Sequence, residues 1–177
     1  MPHPKEKDWK GHEYWQDIQP ELRTAYSAIC AYSCHWIPAI TGFNTVEHFK
    51  PKSKYPHLAY DWSNYRLVCG KLNGRKGDHE DVLDPFTLPD GWFVIDFPSL
   101  MVFPGSQLSP EQAEQVIKTI NRLKLNDEDF LQERAEYLQD HYVRNYPFSY
   151  LERKAPFLAK ELKRQDLVER IKEIMNF

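Results

Sequence analysis

The stretch from Thr45 to Asp78, TVEHFKPKSKYPHLAYDWSNYRLVCGKLNGRKGD, constrains the fold more than any other part of the chain. Thr45 to Phe49 reads as a short strand, β-branched at Thr45 and Val46. Pro51 and Pro56 keep the next residues in a loop. Asp61 to Cys69 reads as a turn and a second strand through Tyr65, Leu67 and Val68. Asn73 to about Leu83 is the candidate helix, with Gly74 and Gly77 near its start. The rest of the chain reads as support for this strand–loop–strand–helix unit.

Charge singles out the same region. His48 to Asp78 holds seven Lys/Arg (Lys50, Lys52, Lys54, Arg66, Lys71, Arg75, Lys76) against Asp61 and Asp78, a balance of +5. The whole chain carries −3, so −8 falls elsewhere. A basic patch on an acidic body suits a protein that meets phosphates at one face. It also suits a solvated charged loop, the commoner use of such a run.

Elsewhere the periodicities are local. Residues 1–19 show none and read as an arm. Pro20 to Cys30 reads as a helix, with Leu22, Ala25, Tyr26 and Ile29 on one face. Trp92 to Phe97 alternates like a strand, and Leu100 to Phe103 could pair with it across Pro98-Ser99. Ser109, Pro110 and Gln112 form a helix start with a capping box. A further helix is expected from Asp127, capped by Asn126 and stopped by Pro147. The tail from Leu151 reads as two short helices with Asp166 and Glu169 as a second capping box. The expected class is α+β: a core at 20–105 that includes a β-hairpin, then a helical region at 106–177. The polar N-terminus reads as lacking a signal peptide, and no run reaches the ~20 apolar residues of a membrane span. Three cysteines suggest a reducing compartment, and the expected location is the cytoplasm.

The order Glu47-His48, Asn64 in WSNYRL and Asn73 in LNGRKGD resembles the HNH nuclease motif. The wording EHFKPKS, YDWSNYRLVC and LNGRKGD is similar to bacterial antiphage HNH proteins that work with ATPase partners, such as the Septu type. The resemblance covers roughly a fifth of the chain, and three residues in order are far more specific than any one. It implies a ββα-metal core and hydrolysis of phosphodiester bonds in DNA rather than RNA, with Mg2+ or Mn2+ as cofactor. By the family pattern His48 is the general base, Asn64 orients it, and Glu47 with Asn73 holds the ion. Lys50, Lys52, Arg75 and Lys76 would contact nucleic acid. An ATPase is the implied protein partner, and a membrane is not. One tension is visible: neighbours on a strand point to opposite faces, so Glu47 and His48 would not readily meet at one centre.

Each residue has a plainer reading. His48 alone would be a hydrogen-bonded, half-buried histidine, and Asn64 and Asn73 alone would be turn or cap residues. Asp84 before Pro85 reads as a turn residue. His35, His57 and His79 stand out by no spacing. The cysteines depart from relatives with two CxxC pairs around a zinc. Cys30 and Cys34 are one residue too far apart, and Leu72 stands where a partner for Cys69 would be. Three cysteines and His35 make four ligands in number, but His35 is badly placed beside Cys34. A structural zinc is therefore not expected, and the thiols read as small buried hydrophobes. Two other functions compete with a nuclease: a degenerate HNH scaffold that binds nucleic acid or a partner without cutting, and a cysteine-based sensor.

Overall fold

The computed structural model describes residues 6–175 and is α+β, with two small antiparallel sheets and short to medium helices. The expectation for residues 1–5 of the arm and for the last two residues of the tail lies outside the described residues. Strand β1 (Asn44–His48) pairs with β2 (Tyr65–Cys69), with Asn44 opposite Cys69 and His48 opposite Tyr65. Helix α2 (Gly70–Lys76) follows β2 without a linker. It starts three residues earlier than the sequence suggests and ends far sooner. Gly77 stops it at φ 48°, ψ −134°, a conformation open to glycine and strained for other residues.

Helix α1 (Gln19–Ala25) precedes this unit. It ends five residues short of Cys30 because Ser27 and Ala28 are both left-handed, at φ 52° and 59°. The chain then folds back in a knuckle. The Cys30 N–H donates to His35 O, and Ile37 N–H donates to Ala28 O. Ala31 N–H reaches Leu67 O and Trp36 N–H reaches Lys154 O, which fixes the knuckle between β2 and the C-terminal helices.

The second sheet is the hairpin of β3 (Phe93–Asp96) and β4 (Met101–Pro104). Its outer edge is closed by the Asn126 amide, which accepts from Val102 N–H at 2.7 Å and donates to Val102 O at 2.9 Å. Asn126 is therefore not the helix cap; Asp127 holds that position. Helix α3 (Pro110–Leu123) opens with the Ser109–Gln112 capping box. In α4 (Glu128–Tyr142) the buried Arg134 donates to Leu100 O and Leu125 O, where the chain turns between elements.

Three short helices complete the tail: α5 (Phe148–Lys154), α6 (Pro156–Arg164) and α7 (Ile171–Met175). The expected box at Asp166 does not form. Asp166 has φ 56°, whereas an N-cap needs an extended backbone, and the next helix begins only at Ile171. The buried Glu161 on α6 accepts from Ile95 N–H, tying the helical tail to β3. One apolar core runs through all of this: Leu67, Val68 and Leu72 join Val116, Leu123, Leu138, Leu151, Leu158 and Leu162. The β1–β2–α2 unit is thus held by packing against helices. No helix among the described residues is long and apolar enough to cross a membrane.

Candidate functional site

His48 is the last residue of β1, and Asn64 locks the chain just beyond it. The Asn64 side chain accepts from Lys50 N–H at 2.7 Å and donates to Lys50 O and Leu58 O. Its own carbonyl accepts from Phe49 N–H. Four bonds from one residue thus set the backbone around His48. On the facing helix Asn73 donates from Nδ2 to Thr45 Oγ1 at 2.9 Å, and Thr45 donates onward to Val68 O. That fixes the amide and leaves Asn73 Oδ1 as its acceptor.

The His48 ring is 7% exposed, edge-on to Trp15 (4.9 Å between centroids) and to Tyr65 (5.2 Å). Its Nε2 lies 2.9 Å from Ala59 O. A carbonyl only accepts, so Nε2 carries the proton and Nδ1 keeps its lone pair. Burial pulls the imidazole down to about 4, and the Lys52 and Lys76 charges add to this, against the Ala59 bond. The ring is neutral at pH 7. A neutral imidazole with one tautomer fixed and one free nitrogen is the form in which histidine takes a proton from water.

Glu47 is 2% exposed. Its Oε1 lies 2.5 Å from Lys76 Nζ, and its Oε2 accepts from Tyr32 OH at 3.0 Å. Burial pushes its carboxyl upward, opposed chiefly by Lys76. Burial and the Glu47 charge push the Tyr32 phenol upward too, so the hydroxyl stays a donor. Lys76 also donates to His48 O at 3.2 Å. Opposite Glu47 in the β-ladder is Arg66, buried and held bidentately by Asp84 at 3.0 and 2.6 Å. Asp84 is therefore an ion-pair partner as well as a turn residue.

His48, Glu47 and Asn73 all border one cleft of about 630 Å³, together with Trp9, Trp15, Lys52 and Asp78. Glu47 and His48 both line it, but the Glu47 carboxylate is turned to Lys76 and Tyr32. Residues 9–19 wall the other side.

The four expected phosphate contacts divide. Lys52 borders the cleft, its ammonium 5.1 Å from the centre of the Trp15 ring. Lys50 is half exposed and 3.6 Å from Glu80. Arg75 is turned away: it pairs with Asp127 at 2.6 Å and donates to Leu123 O and Lys124 O, where α3 ends with open carbonyls. Lys76 is wholly buried, so it is a structural cation here rather than a surface contact.

The cysteines cluster without a fourth ligand. Cys30 is held down to about 6, first by a hydrogen bond from the Cys69 thiol, while burial pushes Cys34 up to about 12. His35 points elsewhere, with Nδ1 2.9 Å from Glu133 on α4. Among the described residues, no group of three or more His, Cys, Asp or Glu is arranged to hold a metal. Trp15, Tyr32 and the Ala59 carbonyl were not singled out by sequence. The arm has no period to mark Trp15, Tyr32 lies in the irregular knuckle, and a backbone acceptor leaves no signature.

No protein-family model matches the chain. It is similar to Septu protein PtuB of Bacillus thuringiensis, at 34% identity over 70 residues. That match covers 40% of this chain and 26% of PtuB, so the chain spans about a quarter of the relative's length.

Proposed function

We propose that this chain is an HNH-type endonuclease that hydrolyses phosphodiester bonds in DNA as part of an antiphage defence system. The observation that carries the reading is His48, its Nε2 bound to Ala59 O, lining the same cleft as Asn73 and Lys52. The partial likeness to a Septu protein supports the defence role.

In this reading His48 Nδ1 takes the proton from the attacking water, and the Nε2–H bond to Ala59 holds the ring as it becomes charged. Asn64 keeps the backbone under the ring in place, and Lys52 draws phosphate to the cleft. A magnesium-like ion takes one or two carboxylates and keeps several waters, and here both Glu47 oxygens are already engaged, by Lys76 and by Tyr32. Glu47 and Asn73 would hold it, and it would neutralise charge on the phosphate and the leaving oxygen. Lys76 already neutralises Glu47, so the ion competes with a resident ammonium. A cytoplasmic location and an ATPase partner that supplies recognition belong to the same proposal, in keeping with the acidic remainder of the chain.

The same Glu47–Lys76 pair favours a second reading, a degenerate HNH scaffold that binds without cutting. Labelled plasmid and linear DNA with Mg2+ or Mn2+, with and without chelator, separates the two. The nuclease reading expects cleavage that chelator removes. Binding without cleavage in either ion would establish the scaffold.

A further inference from the structure

Beside the cleft, the surface carries aromatic rings that the fold does not need to leave in solvent. Tyr14, Tyr60 and Trp62 are 57%, 52% and 51% exposed. They are not scattered. Tyr60 lies 6.0 Å from Tyr14, 6.2 Å from Trp9 and 5.8 Å from Trp15, centroid to centroid. Trp15 in turn touches the His48 ring at 4.9 Å. Trp62 is a separate exposed ring that reaches the same histidine from another neighbour: it meets Tyr65, which contacts His48, at 6.4 Å. The rings are held: Tyr60 OH donates to His12 O at 2.7 Å, anchoring the arm on the core.

We propose that Tyr14, Tyr60 and Trp62 form a stacking shelf that takes unpaired DNA bases, so that the cleft receives a single-stranded segment in preference to duplex. The proposal rests on the nuclease reading for what happens at His48, but the shelf's binding role is separable from it. Stacking on an aromatic side chain needs a base whose face is free, and stacking between neighbouring pairs in a duplex covers both faces. One cation stands at the rings: Lys52 lies over Trp15 at the cleft, where it can meet a phosphate, with Glu13 and Asp78 also lining the cleft. Asp61, between Tyr60 and Trp62, accepts from Ser63 N–H at 2.8 Å, which keeps its carboxylate ionised and oriented towards the local turn. Exposed rings beside a cation bind single strands without reading bases. A protein partner docking on the same rings is the competing occupant.

The test is fluorescence anisotropy of a fluorescein-labelled mixed-sequence DNA oligonucleotide in chelator, as a single strand and annealed to its complement. Wild-type protein is expected to bind the single strand more tightly than the duplex. Tyr14→Ala and Trp62→Ala should each weaken single-strand binding roughly tenfold, the scale of one lost stack, and leave duplex binding unchanged. Trp62→Phe keeps a ring and should retain most of the affinity. Lys52→Ala should weaken both forms. Circular dichroism confirms that each variant is folded. Equal affinity for the two forms, or full single-strand affinity in both alanine variants, overturns the shelf and leaves the rings to a protein partner. Ring-dependent single-strand binding with no cleavage in Mg2+ or Mn2+ removes the nuclease reading and keeps the shelf. Cleavage with ring-independent binding does the reverse.

Discussion

Glu47→Gln is expected to lower the free energy of unfolding by about 3–5 kcal/mol, read as a lower urea midpoint with an unchanged slope. The size follows from what remains behind. Lys76 Nζ is fully buried, and its charged partner is Glu47 Oε1 at 2.5 Å. A neutral amide there leaves an ammonium without a counter-charge, helped by neutral groups such as the amide oxygen, the His48 carbonyl and the Phe49 ring. Removing one member of a buried pair costs far more than removing both, because the second charge is what the interior cannot tolerate. The double variant Glu47→Gln/Lys76→Met should therefore recover much of the loss. Together the two variants separate a structural role for Glu47 from a purely metal-holding one. A Glu47→Gln protein as stable as wild type would mean that the pair contributes nothing to the fold.

His48→Ala should lower the cleavage rate by roughly 10²–10⁴-fold, the usual contribution of a general base, and leave a folded protein. The fold survives because the bond lost is not the last one to its acceptor: Ala59 O still accepts from Tyr65 OH at 2.8 Å. What the variant loses is a ring packed between Trp15 and Tyr65, and with it the nitrogen that would take the proton. Rates are to be compared in excess Mg2+ on the same labelled DNA, with near-UV circular dichroism as the check on packing. Cleavage at the wild-type rate would remove His48 from the chemistry.

The central unit was largely legible because its punctuation is strong. Two strands separated by prolines, then a glycine-bounded helix, leave few alternatives, and the Ser109 start carries its signal in adjacent residues. Two of the boundaries that the sequence misplaced, after α1 and before α7, lie where non-glycine residues take left-handed backbone. Nothing in Ser27, Ala28 or Asp166 announces that conformation; tertiary contacts impose it. The charged residues divided in the same way. The lysines of a KGD run read as solvated, yet Lys76 is drawn inside by a carboxylate twenty-nine positions earlier in the chain, on the neighbouring strand. Arg75 is drawn off by the open carbonyls of α3, a helix end that lies far along the chain. Strand alternation argued against Glu47 and His48 sharing a centre. The side-chain contacts keep that tension: the Glu47 carboxylate meets Lys76 and Tyr32, while the His48 ring meets Trp15, Tyr65 and Ala59 O, though both residues line one cleft.

Catalysis by His48 requires a bare ring nitrogen beside the bound nucleic acid. Long-range 1H–15N spectra of histidine-labelled protein at pH 7, before and after single-stranded DNA is added in chelator, read both. The expected result is a neutral His48 with Nε2 protonated and Nδ1 bare, charging only as the pH falls towards about 4, with its nitrogen signals and the Asn73 side-chain amide both moving when DNA binds. A proton on Nδ1 at pH 7, or DNA-induced shifts that leave both His48 and Asn73 untouched, would contradict it.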